Sequence, residues 1–85
     1  MDHFNRLVSE QMKTMEKLLY LQGELERCQE IEEQLQILQN ATDLESIQND
    51  ILQKKKELKE IQFIFEKQTE EVIKTYQDFN LTAPI

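Results

Sequence analysis

From Leu44 onward an apolar residue returns every seventh position: Leu44, Ile51, Leu58, Phe65, Val72 and Phe79. Three residues after each of the first five stand Ile47, Lys54, Ile61, Gln68 and Thr75, a second row that mixes apolar and polar side chains. Alternating steps of three and four place both rows on one side of a helix, which is the pattern of a coiled-coil seam. The first half of the chain carries a less regular apolar path through Phe4, Val8, Met12, Met15, Leu18, Leu21 or Leu25, Cys28, Ile31, Leu35 and Leu38. It opens with an eleven-residue stride from Phe4 to Met15, so a locally straight or irregular supercoil is expected there.

These patterns predict two helices. The first runs from about residue 3 to 39, with Asp2 or Asn5 as its cap. A turn at about 40–42 follows, where an asparagine can close a helix in the left-handed conformation. Thr42 and Glu45 have the spacing of a capping box, so the second helix is expected over about 43–79. Residues 80–85 form a tail, because Pro84 cannot extend a helix. Gly23 lies inside the first helix, either as a tolerated solvent-facing glycine or as a place where another helix approaches closely or the helix kinks. The expected fold is all-α: one antiparallel two-helix coiled-coil hairpin over 1–85, self-associating into a helical bundle. A single continuous helix in a parallel dimer is the alternative, since the turn has neither Gly nor Pro.

A turn at 40–42 pairs residues whose numbers sum to about 82–83. Leu35 then meets Ile47, Ile31 meets Ile51, Leu21 meets Ile61 and Phe4 meets Phe79. Opposite charges match in the same register: Glu24 with Lys59, Glu16 with Lys67, Lys17 with Glu66, and Lys13 with Glu70. Such exposed pairs set direction and register more than stability.

Seven apolar residues fall beside this seam: Leu19, Tyr20, Leu52, Phe63, Ile64, Ile73 and Tyr76. Leu19 and Ile64 stand level in the expected register, so a second apolar strip is anticipated. It is assigned to a partner or oligomer interface, with Phe63 as its leading contact. Pairing two hairpins into a four-helix bundle is the simplest way to cover it.

Composition supports helices and narrows the chemistry. The 85 residues include one Gly, one Pro and no Trp, and 32% are charged. A chain this short buries little surface alone, so a homo-oligomer (a dimer first) or another protein partner is expected. The net charge is −7, with eight acids to four bases in 1–42 and nine to six in 43–85. No basic stripe is present to neutralise phosphates, which argues against nucleic acid, and acidity disfavours anionic membranes. No apolar run is long enough to span a bilayer, no signal-peptide pattern opens the chain, and the cytoplasm is the expected location. A lone Cys28 excludes an intrachain disulfide. At a core position Cys28 reads as a small hydrophobe, although a neighbouring Lys54 or Lys55 could turn a thiol into a redox sensor. Glu26, Glu30 and Glu33 share a helix face, with Glu32 beside it. The only histidine is His3, so the Glu-x-x-His set of di-iron bundles is missing and a solvated acidic face is expected. No catalytic residue and no cofactor is assigned.

Several stretches together carry a resemblance: residues 6–15 (RLVSEQMKTM), 18–22 (LLYLQ), 24–28 (ELERC) and 65–73 (FEKQTEEVI). They resemble the YgaB-like family of short proteins of Bacillus and its relatives, over roughly residues 4–79. The resemblance implies a bacterial origin and supplies no catalytic residues. The expected function is therefore non-enzymatic: an adaptor or regulatory module that presents a helical face to another protein. The alternative is a self-assembling structural coiled coil without a distinct client.

Overall fold

The computed structural model describes residues 2–82, and side chains through Phe79. Two helices account for almost all of it: α1, Asp2–Leu38, and α2, Ala41–Thr82. They lie antiparallel in a hairpin of 68 × 15 × 14 Å. Its radius of gyration is 19.4 Å, against about 12 Å for a compact domain of this length. The expected tail is helical as far as Thr82, and Pro84 lies outside the described residues.

The reversal takes two residues. Gln39, with φ of 56°, is the left-handed residue that ends α1. The Asn40 amide donates to the Leu35 carbonyl at 3.1 Å, and the Gln39 amide to the Gln36 carbonyl at 3.2 Å. This pair of bonds is a Schellman closure. Asn40, expected to close the first helix, instead caps the second. Its Oδ1 accepts from the Asp43 amide at 3.2 Å, and its Nδ2 donates to Asp43 Oδ2 at 2.9 Å. The Thr42–Glu45 capping box does not form the start of α2, which begins at Ala41.

An earlier, tighter turn moves the register. A turn centred between 39 and 40 pairs residues whose numbers sum to about 79, not 82–83. Two contacts near the open end agree: Gln11 Nε2 donates to Thr69 Oγ1, and the Phe4 and Tyr76 rings lie 6.0 Å apart. Cys28 is thereby level with Ile51, and these are among the most buried residues, at 8% and 6% exposure. The expected cross-helix charge pairs depended on the other register and are not closed. Glu24 binds Arg27 of its own helix at 3.1 Å, and Lys67 binds Glu70 at 3.6 Å. Neighbours three apart on one helix meet more readily than long side chains reaching across a seam.

The seam itself is regular in both helices. In α2 it runs through Leu44, Ile47, Ile51, Lys54, Leu58, Ile61, Phe65, Gln68, Val72 and Thr75, as the spacing predicts. Phe79, next in that row, is substantially exposed. In α1 the buried and half-buried row is Phe4, Leu7, Gln11, Thr14, Leu18, Leu21, Leu25, Cys28, Glu32 and Leu35. Its steps alternate three and four without a break. The irregular path expected for the first helix is therefore corrected: the core takes polar Gln11 and Thr14 and leaves Met12, 63% exposed, outside. At the turn end it takes Glu32 and leaves Ile31 and Leu38 exposed.

The open half of the hairpin thus has a partly polar core. Thr14, 8% exposed, turns its hydroxyl back to the Glu10 carbonyl at 3.2 Å. The Thr69 hydroxyl does the same to the Phe65 carbonyl at 2.9 Å while accepting from Gln11. Gln68 Oε1 is buried and has no hydrogen-bond partner. The turn half carries Leu21, Leu25 and Cys28 in α1, with Glu32 and Lys54 as the polar members of its seam.

Candidate interaction surfaces

A two-helix hairpin buries one narrow stripe of each helix and leaves two flanks beside the seam. On the first flank, α1 presents Val8, Met12, Met15 and Leu19, one residue round the helix from Leu7, Gln11, Thr14 and Leu18. The same flank of α2 presents Thr69, Ile73 and Tyr76. All seven lie in the open half, and Met12, Met15, Leu19, Ile73 and Tyr76 are exposed. The Tyr76 ring rests partly on Phe4, which ties this flank to the core.

The second flank carries Tyr20, 67% exposed, and Ile64. Tyr20 lines an open recess with Lys13, Glu16, Lys17, Leu21 and Ile61. Ile64 and Phe63 line another with Lys56, Lys59 and Glu60. Phe63 stands on the outer face of α2, with Lys67 Nζ 5.5 Å from its ring centroid, a cation–π contact. Both recesses combine an apolar floor with flexible cationic and acidic arms.

The seven residues singled out from the sequence are all exposed, but they do not form one strip. Leu19, Ile73 and Tyr76 gather on the first flank. Tyr20 and Ile64 belong to the second, and Phe63 lies behind it. Leu52 shares the first flank's row but sits in the turn half, level with Arg27, apart from the rest. Leu19 and Ile64 are on opposite flanks. Sequence reasoning missed Val8, Met12 and Met15 because it had assigned them to the core. The signal that could have found them is the unbroken three-four row through Leu7, Gln11 and Thr14 one position away.

Other candidates reduce to surface chemistry. Glu26, Glu30, Glu32 and Glu33 line an acidic recess on α1. Among the described residues no group of three His, Cys, Asp or Glu is arranged to hold a metal ion. Cys28 is buried as a free thiol, level with Ile51 and not opposite Lys54. His3 accepts a hydrogen bond from Arg6 at 3.0 Å. No described helix is long and apolar enough to cross a membrane.

Fold and surface define a helical hairpin with a thin core and apolar flanks. The family profile described as YgaB-like protein matches residues 3–79, almost the whole hairpin. The chain is also 53% identical over 77 residues to "Uncharacterized protein YgaB" of Bacillus subtilis (strain 168), covering 91% of this chain and 68% of that relative. The chain belongs to the YgaB-like family. No solved structure matches it.

Proposed function

We propose that this protein is a non-enzymatic coiled-coil interaction module, an adaptor or regulator that presents its flanks to other proteins in the cytoplasm. One observation carries the reading. Large apolar side chains such as Met12, Leu19, Tyr20, Leu52 and Phe63 are well exposed, while no described side chain is fully buried. Exposed apolar patches rimmed by charge are the usual mark of a protein-binding surface. Lys13 and Lys17 beside Tyr20, and Lys56 and Lys59 on the outer face beside Ile64, outnumber the Glu16 and Glu60 that line the same recesses. That excess suits a partner helix with an apolar face and acidic edges. A self-assembling structural role without a client is the alternative.

Capture from a bacterial lysate tests the reading. The wild-type chain is expected to retain a foreign protein in stoichiometric amount, and the triple variant Tyr20→Ser, Phe63→Ser, Ile64→Ser to lose it. Recovery of the chain alone, in both forms, favours the structural alternative.

A further inference from the structure

The first flank is a row with its own symmetry. Along α1 it reads Asn5, Val8, Met12, Met15, Leu19, Gln22, with steps of 3, 4, 3, 4 and 3. Read backwards, the steps are the same and the chemistry is nearly so: amide, aliphatic, Met, Met, aliphatic, amide. The row extends about 26 Å along the helix and holds no charge, in a chain that is 32% charged. The next position of the same row is Glu26.

A two-fold axis crossing α1 between Lys13 and Thr14 sets this row against itself in antiparallel sense. Met12 then faces Met15 of a second copy, Val8 faces Leu19, and Asn5 faces Gln22. Such self-complementarity is what an isologous interface requires. Absence of charge matters in the same way, because two chains of net charge −7 repel wherever acids meet. Interface centres are depleted of charge and enriched in methionine.

Surface area points the same way. The hairpin exposes 6821 Å², whereas a folded monomer of 10.2 kDa typically exposes about 5,300 Å². An ordinary dimer interface removes about 800 Å² from each partner, roughly half of the excess.

We infer that the first flank is covered by a second copy of this chain, through antiparallel contact of α1 with α1 about an axis between Lys13 and Thr14. The dimer is a four-helix arrangement with the two turns at opposite ends. Ile73 and Tyr76 of α2 border the contact. The second flank stays open, so the inference rests on the interaction-module reading and narrows it: one flank for self, the other for a client.

Solution mass decides the matter, measured by light scattering on the full chain over about a hundredfold range of concentration. The wild type is expected at twice 10.2 kDa. Met12→Glu alone and Met15→Lys alone are each expected to weaken the dimer about 100-fold or more, because each presses an unpaired charge against methionine. Both positions are solvent-exposed in the hairpin, so circular dichroism should show its helix content unchanged. Mixing the two variants should restore the dimer, since residue 12 of one chain then pairs with residue 15 of the other. A monomeric wild type overturns the inference, as does a Met12→Glu dimer of undiminished strength or a mixture that stays monomeric. None of these results touches the second flank, whose triple variant is read by client capture and should keep the wild-type mass.

Discussion

Gln68 offers the sharpest test of the partly polar core. Its Oε1 is buried without a partner, level with Gln11, whose amide is already given to Thr69. Leaving a buried acceptor unsatisfied costs about 1–3 kcal/mol. Gln68→Leu removes that acceptor, keeps a side chain of similar reach, and leaves the Gln11–Thr69 bond untouched. The expected gain is about 2 kcal/mol. Unfolding entropy for 85 residues is about 180 cal/mol/K, so the melting temperature should rise by about 10 °C. Gln68→Glu at the same place should lower it, because the charge would have to leave water. The assay is thermal unfolding followed by circular dichroism, at one fixed protein concentration because association shifts Tm. An unchanged or lower Tm for Gln68→Leu would refute the reasoning. It would mean that the acceptor is satisfied in solution and that the polar layer stabilises the hairpin.

Three further outcomes follow from local geometry. Gln39 holds a left-handed backbone, a conformation costing an L-residue about 1–2 kcal/mol that glycine avoids at some entropic expense; Gln39→Gly should raise Tm by about 3–6 °C, and a fall would place the reversal elsewhere. A Cβ built on Gly23 meets nothing within 4 Å, so Gly23→Ala should gain about 0.8–1 kcal/mol, and a loss would reveal a helix packed there from another chain. Hydrogen exchange should be slower for amides of 21–35 and 44–58 than for those of 7–18 and 62–72, because the seam of the open half holds four polar members (Gln11, Thr14, Gln68 and Thr75) and that of the turn half two (Glu32 and Lys54); equal protection at a concentration where the chain is monomeric would contradict this difference.

Much of this architecture could be read from the sequence. The α2 seam was legible from Leu44 to Thr75 because its apolar members repeat every seven residues, and only Phe79, next in the row, is exposed instead. Helix 1 was misread between Val8 and Met15 for a physical reason. Apolarity marks surface that favours burial, but rotation of a long helix is set by its whole length. The turn was misplaced because Gln39 is a poor advertisement for a left-handed residue, whereas Asn40 beside it is a good one. A displacement of about one and a half residues in the turn becomes three in the paired sum. That was enough to make Glu24–Lys59 and Lys13–Glu70 look like partners. The seven flank residues were legible as surplus to the seam, but their division between two flanks needed the correct core row.

Why α1 buries Gln11 and Thr14 when Met12 and Met15 stand one position away follows from helix rigidity. Exchanging the rows means turning the helix by about 100°. In the open half this would bring in two methionines for Gln11 and Thr14, but would also exchange Phe4 for Asn5 and Leu7 for Val8. In the turn half it would be ruinous. Leu21, Leu25, Cys28 and Leu35 would leave the seam, and Gln22, Glu26, Gln29 and Gln36 would take their places. An unkinked helix cannot rotate one half without the other, and α1 is continuous from Asp2 to Leu38 with Gly23 in regular helix. Burial of a leucine side chain is worth about 1.5–3 kcal/mol, so the loss of three leucines, with Phe4 besides, outweighs the gain of two methionines. The turn half therefore fixes the rotation, and the open half must display its more apolar row to the outside. The exposed methionines are a consequence of that arrangement, and a hairpin built this way has an apolar face available for association without weakening its own seam.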